Sequence, residues 1–139
     1  MIKIVLAIDP GKKKCGIAVV DNNLRFIKGE VVEKEELIQE VKIFINKYSI
    51  NNILIGGGTN SKEITSTIKN RFPGITVIEI AEKDTTMQAR KRYFDYNPPN
   101  GFSKILPRSF LIPARPYDDF AALIIAERFF KNYEEVNDN

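Results

Sequence analysis

The feature that most constrains the fold is a change of hydrophobic period within the first third of the chain. Three short apolar segments come first, at residues 2–8, 15–21 and 24–32, and each is rich in β-branched residues. The links between them, DPGKKK and DNN, are short enough for hairpins. This pattern predicts an antiparallel meander of three strands.

Beyond residue 33 the chain alternates between helical and extended patterns. In the first helical segment Leu37, Val41 and Phe44 fall on one face. Predicted helices cover residues 33–50, 59–72, 85–96 and 117–133, and predicted strands cover residues 51–58 and 73–81. A meander followed by alternating α and β units predicts one α/β domain, a mixed sheet with helices on both faces. We expect this single domain to span residues 1–139, with a frayed acidic tail at 131–139.

Composition excludes several kinds of chemistry. The chain contains no histidine, so Ser-His-Asp catalysis, Cys-His pairs and His-based zinc sites are ruled out. Cys15 is its one cysteine, which fits a core position and a reducing cytoplasm. No apolar run is long enough to cross a membrane, and the first residues do not resemble a signal peptide. Any catalysis must rest mainly on carboxylates, lysine, tyrosine or bound metal.

Carboxylates stand at two points where chemistry is possible. Asp9 ends the first strand and is followed by Lys12, Lys13 and Lys14. It is either part of a turn that Asp-Pro-Gly favours, or a metal ligand beside cations that face a phosphate backbone. Asp118 or Asp119 stands where the N-cap of the last helix belongs, so the same two interpretations apply there.

Basic residues are concentrated locally although the net charge is only +3. A glycine-rich turn after the fourth strand, at residues 56–62, offers N–H groups that would cradle a phosphate if they are free. Tyr93, Phe94 and Phe102 interleave with the basic residues and are candidates for stacking on unpaired bases. The candidate nucleic-acid-binding residues are Lys12, Lys13, Lys14, Gly57, Gly58, Thr59, Arg90, Arg92, Arg108 and Arg115.

Three motifs, in order, resemble one group of nucleases. They are AIDPGKKKCGIAVVD at the start, EKDTT after the fifth predicted strand and DDFAALIIAE in the last helix. Together they are similar to motifs of the RuvC/YqgF group, which has the RNase H-like fold. The resemblance implies a five-stranded mixed sheet, three antiparallel strands and then two parallel ones, in the order 3-2-1-4-5. It covers nearly the whole chain.

The resemblance also implies a function and a set of site residues. It implies Asp9, Glu82 and Asp118 as catalytic ligands of two Mg²⁺ or Mn²⁺ ions, with Asp9 bridging both and Asp119 as a partner or the true ligand. Two such ions activate water and neutralise the leaving oxygen in phosphodiester hydrolysis. The implied substrate is structured nucleic acid, either precursor ribosomal RNA or branched DNA. The protein would act as a monomer or homodimer.

Two departures from the RuvC pattern leave an alternative open. The fourth strand ends in ILIGGGTNS and carries no carboxylate, and Arg115 stands where RuvC has an acidic or imidazole group. These departures favour the YqgF branch, and they also fit a catalytically inactive module that binds nucleic acid or protein. A weaker resemblance links Asp9-Pro10-Gly11 to the phosphate-binding turn of actin-like ATPases and sugar kinases.

Overall fold

A computed structural model describes residues 2–58, 60–81, 85–98 and 118–137 of the chain. Its sheet has five strands in the order β3-β2-β1-β4-β5. The strands are β1 (Ile4–Asp9), β2 (Lys14–Asp21), β3 (Phe26–Glu33), β4 (Asn52–Gly56) and β5 (Thr76–Ile80). β1 pairs antiparallel with β2 and β2 with β3, whereas β4 runs parallel to both β1 and β5. The predicted RNase H-like sheet order is therefore confirmed.

Four helices follow the predicted positions within one to four residues. They are α1 (Leu37–Tyr48), α2 (Ser61–Arg71), α3 (Thr85–Tyr96) and α4 (Asp118–Asn137). The backbone of α4 is helical as far as Asn137, and the fraying of residues 131–139 stays a prediction. Among the described residues, no helix has the length and hydropathy that a membrane span requires.

The two faces of the sheet carry separate hydrophobic cores. Val5 and Ala7 of β1 are fully buried against α3 and α4, whereas Leu6 and Ile8 pack on the side of α1 and α2. Successive side chains of a strand point to opposite faces. Asp9 continues the odd-numbered series, so it lies on the face that α4 covers.

Helix α4 covers this face of the sheet and packs across its central strands, β1 and β2. Its residues from Phe120 to Ala126 are all buried, which makes it the central helix of that layer. Helix α3 packs mainly on α4. A helix buried to this extent has little freedom to shift, so its first turn is held in a defined position relative to β1.

Candidate active site at the end of strand β1

The first turn of α4 is brought against Asp9 by a glycine. Asp9 pairs across the sheet with Gly16 of β2. A Cβ added to Gly16 would overlap the Asp118 carbonyl and stand 2.7 Å from the Asp119 backbone nitrogen. The missing side chain therefore lets the backbone of α4 touch the sheet beside Asp9. Asp9 and Asp118 come together although 109 residues separate them.

The electrostatics of Asp118 agree with this placement. Burial raises the pKa of Asp118 above its usual value, and the negative charges of Asp9 and then Asp119 raise it further. The positive charge of Lys14 acts in the opposite direction. Three carboxylates and one ammonium group thus influence one another at the end of β1, where the chain enters the turn before β2.

Asp118 and Asp119 extend in different directions. Both lie in the first turn of α4, inside the helix and not at the N-cap position expected from the sequence. Asp119 is 3% exposed, and its Oδ1 accepts a hydrogen bond of 3.1 Å from the Phe120 N–H. Its Oδ2 lies 2.9 Å from the place of a Cβ on Gly29, so this carboxylate reaches towards β3. Asp118 is partly exposed, and the charge of Asp9 adds to the effect of burial on its pKa.

The third predicted ligand, Glu82, lies outside the described residues. Strand β5 ends nearby in sequence, and its Ile78 and Ile80 pack on the α4 side of the sheet. Arg128 of α4 donates hydrogen bonds to the Ala81 carbonyl (2.9 Å) and to Gln88 Oε1 (3.1 Å). These bonds join α4 to the end of β5 and to α3. Within the described part of the chain, no three His, Cys, Asp or Glu side chains form a cluster that would hold a metal ion.

The lysines of the β1–β2 turn lie at the same end of the sheet. Lys12, Lys13 and Lys14 are exposed. The turn is tight, because a Cβ on Gly11 would overlap the Lys14 carbonyl. The Lys34 N–H donates to the Lys13 carbonyl at 2.9 Å and ties the turn to the end of β3. A cationic turn therefore stands beside the carboxylates, as the candidate interface requires.

Cys15 contributes no nucleophile to this site. Its side chain is fully buried in the core on the α1 side, as predicted. Burial raises the pKa of the Cys15 thiol, a backbone hydrogen bond at Gly11 lowers it, and the charge of Asp9 raises it again. The net rise favours the thiol over the reactive thiolate.

The arginines of α3 are placed away from the β1–β2 turn. Arg92 donates to both carboxylate oxygens of Glu127 at 3.0 and 2.8 Å and to Asp95 at 2.9 Å. The hydrogen bonds to Glu127 raise the pKa of the Arg92 guanidinium, and burial lowers it in part. Glu127 lies nine residues beyond Asp118, which is about 13 Å along a helix. Arg90 is partly buried on α3, and Arg108 and Arg115 lie outside the described residues.

The glycine-rich turn differs from the expected phosphate cradle. The Gly57 N–H donates to the Ile80 carbonyl at 2.7 Å. The Gly58 N–H donates to Ser61 Oγ at 3.3 Å, and that hydroxyl donates back to the Gly58 carbonyl at 2.8 Å. Both amides already have acceptors, so the expectation of free N–H groups is wrong for them. Thr59 lies outside the described residues.

The aromatic residues are also distributed differently from the expectation. Tyr93 and Phe94 are 6% and 7% exposed and belong to the core beneath α4, so the prediction that they stack on bases is wrong. Phe102 lies outside the described residues. Tyr96, which the sequence reasoning missed, is 51% exposed. Helical spacing alone does not separate it from Tyr93, because residues three apart lie on the same side of a helix.

Comparisons with known proteins agree with the fold. The sequence profile of one family, described as the Tex protein YqgF-like domain, matches residues 3–87. No curated protein gives a significant match. RuvC of T. thermophilus in complex with a Holliday junction substrate aligns with a TM-score of 0.59 and 18% identity, over 94% of this chain and 95% of RuvC. The Fowlpox virus resolvase, in a complex with Holliday junction DNA, aligns with a TM-score of 0.59 and 18% identity, over 94% of this chain and 98% of the resolvase.

A more limited similarity extends to a different class of protein. A putative sugar kinase from Cytophaga hutchinsonii aligns with a TM-score of 0.46 and 12% identity, over 63% of this chain and 38% of the kinase. This chain therefore spans well under half the length of the kinase. That similarity is too small to support the alternative of an ATPase. The identities to RuvC and the viral resolvase show a shared fold and nothing finer.

Proposed function

Because the chain belongs to the family of the Tex protein YqgF-like domain, we propose that it is a metal-dependent nuclease that hydrolyses phosphodiester bonds in structured nucleic acid. One observation carries the proposal. The first turn of α4, which carries Asp118, packs on Gly16 beside Asp9 at the end of β1, and the charges of Asp9 and of the exposed Lys14 both act on Asp118. Carboxylates crowded in this way are costly for folding unless a cation or substrate uses them.

The donor set fits a hard divalent cation. Carboxylate oxygens are the ligands that Mg²⁺ and Mn²⁺ prefer, and Mg²⁺ needs only a few of them because it keeps several waters. Asp9 and Asp118 would hold the metal, with Glu82 as the proposed third ligand and Asp119 beside them. When bound, the metal ions would activate water and stabilise the leaving oxygen.

The other residues of the site would hold the substrate. Lys12, Lys13 and Lys14 would contact phosphates on either side of the scissile bond, since exposed ammonium groups neutralise a nucleic-acid backbone. Lys14 would also compensate part of the negative charge on Asp118. Arg92 contributes less to such binding, because Glu127 and Asp95 already balance its charge.

The proposed substrate is structured RNA, in a role such as the processing of precursor ribosomal RNA, with branched DNA as the second candidate. The departures from the RuvC pattern support RNA, since β4 ends at Gly56 without a carboxylate. The similarity to resolvases whose complexes contain Holliday junctions supports DNA. Both candidates use the same chemistry, so the substrate has to be determined directly.

The test compares wild type with Asp9→Asn on labelled four-way DNA junctions, structured RNA and single strands. Each is incubated with Mg²⁺, Mn²⁺ or EDTA. We expect cleavage by wild type alone, abolished by EDTA, and a loss of at least about 100-fold in Asp9→Asn. Glu79→Gln is the matched control. Glu79 is exposed on β5 and shares with Val77 the face of the sheet opposite the one on which Asp9 lies.

A second candidate function is a catalytically inactive module that binds nucleic acid. The observation that favours it is the small number of converging carboxylates in the described part of the chain. Salt-sensitive binding with no turnover in any metal would support this candidate and contradict the nuclease. Unchanged cleavage by Asp9→Asn would remove Asp9 from the mechanism.

A further inference from the structure

We propose that Tyr96 is a platform on which an unpaired base of the bound strand stacks. This inference rests on the proposed function and deepens it, because it selects nucleic acid with unpaired bases over continuous duplex. Tyr96 is the last residue of α3, and its ring is half exposed although it belongs to a packed aromatic group.

The ring of Tyr96 is held by its neighbours. It contacts Phe26 and Phe120 edge-on, with centroid distances of 5.6 Å to each and interplanar angles of 65° and 60°. Phe26 and Phe120 pack on each other at 5.2 Å. Edge-to-face contacts of this kind favour one orientation of a ring, and about half of Tyr96 remains exposed to solvent.

The backbone beneath the ring is fixed as well. The Asn97 N–H and its side-chain amide both donate to the Tyr93 carbonyl, at 2.8 and 3.0 Å. They close the end of α3 directly after Tyr96. A base that stacks on this ring would therefore meet a surface that is already ordered and would lose little free energy in ordering it.

The ring is continuous with the candidate active site. It borders a surface hollow of about 420 Å³ that Gly29, Lys28 and Asp119 also line. Asp119 follows Asp118 in the first turn of α4, and Phe120, which supports the ring, comes next. A strand whose phosphate reaches Asp9 and Asp118 would thus pass within reach of Tyr96.

Charge favours a base over a phosphate on this side of Asp119. The adjoining groove is lined by Glu30, Glu33, Glu36 and Lys14, so its acidic groups outnumber its basic one. Lys28 of the Tyr96 hollow is paired with Glu30 at 4.0 Å. Phosphates are repelled there, whereas an uncharged base is not. Every base has a π-face, so stacking on a tyrosine depends little on sequence.

The test uses single-stranded oligonucleotides that carry 2-aminopurine at successive positions, in EDTA so that no cleavage occurs. Stacking on an aromatic ring quenches the fluorescence of 2-aminopurine. The variants are Tyr96→Ala, Tyr96→Phe and Tyr96→Leu, and the last keeps an apolar side chain against Phe26 and Phe120 in case the alanine variant unfolds. Met87→Ala is the control, because Met87 is 65% exposed on the same helix.

We expect wild type and Tyr96→Phe to quench one position, and Tyr96→Ala and Tyr96→Leu to lose the quenching and bind single strands about 10-fold more weakly. Met87→Ala should match wild type, and duplex binding should not change in any variant. Quenching and binding that are unchanged in Tyr96→Leu, or absent in wild type, would overturn the inference even if the protein cleaves. Tyr96-dependent quenching without cleavage in any metal would support the inference and contradict the nuclease.

Discussion

The first turn of α4 and the middle of the same helix carry charge in opposite arrangements. In the first turn, burial raises the pKa of Asp118, and the like charges of Asp9 and Asp119 raise it further. In the middle, Glu127 is matched by a bidentate hydrogen-bonded pair with Arg92. One helix thus contains a region where its charges oppose folding and another where they support it.

This difference separates function from stability. In a structural region opposite charges are paired, as in Arg92 and Glu127, and this pair joins α3 to α4. Buried like charges disfavour folding by themselves, and under the proposed function a bound cation or substrate would offset their repulsion. The comparison can be tested by substitutions that act on each region separately.

The largest effect is expected from Gly16→Ala, which destroys the contact between the first turn of α4 and the sheet. The new methyl group would overlap backbone atoms of Asp118, and a backbone cannot move aside as a side chain can. We expect a loss of about 3 kcal/mol in the free energy of unfolding, measured by urea denaturation. Gly74→Ala is the control, since a Cβ there meets nothing within 4 Å. Equal stability of both variants would show that α4 does not press on β2.

The second-largest expected effect is an increase in the free energy of unfolding. Asp118→Asn removes one of the repelling charges, so the metal-free protein should gain about 0.5–2 kcal/mol, the usual range for a single stabilising substitution. Its cleavage activity should be lost in the same preparation. Thermal denaturation in EDTA and a cleavage assay give the two readouts. A lower melting temperature for Asp118→Asn would mean that the fold stabilises the carboxylate instead of straining it.

A smaller effect is expected in the middle of α4. Glu127→Gln leaves Arg92 without its bidentate partner, although the pair is partly exposed, with side-chain accessibilities of 37% and 20%. We expect a loss of about 0.5–1 kcal/mol and unchanged cleavage. A double-mutant cycle with Arg92→Met isolates the pair. A coupling energy of zero would show that the pairing of Arg92 with Glu127 does not stabilise the fold.

The smallest effect is a dependence on pH. The folded-state pKa of Asp118 is raised, so its ionised form disfavours folding at neutral pH and this penalty disappears as the pH falls through the raised pKa. The stability advantage of Asp118→Asn in EDTA should therefore shrink as the pH is lowered to about 3. Chemical denaturation of both proteins across this range measures the difference. An advantage that grows at low pH would contradict the raised pKa.

Much of the fold was predictable from local patterns. The period-two apolar segments, the hairpin links and the helical spacing of Leu37, Val41 and Phe44 depend on neighbouring residues, so the elements appear with nearly the expected bounds. The hydrogen bonds between Ser61 and Gly58 in the turn before α2 were not predicted, because they depend on the exact position of one hydroxyl group. Period alone also did not decide which rings of α3 face the core.

By itself, the sequence determined which residues can do chemistry. Without histidine any catalysis must rest mainly on carboxylates, lysine, tyrosine or bound metal, and Asp9 stands at the end of a buried strand. Only the tertiary structure decided that the first turn of α4 packs on Gly16 beside Asp9, that Arg92 is engaged by Glu127, and that Tyr96 is exposed while Tyr93 is buried. These outcomes depend on packing between segments that are distant in sequence, which local patterns do not specify.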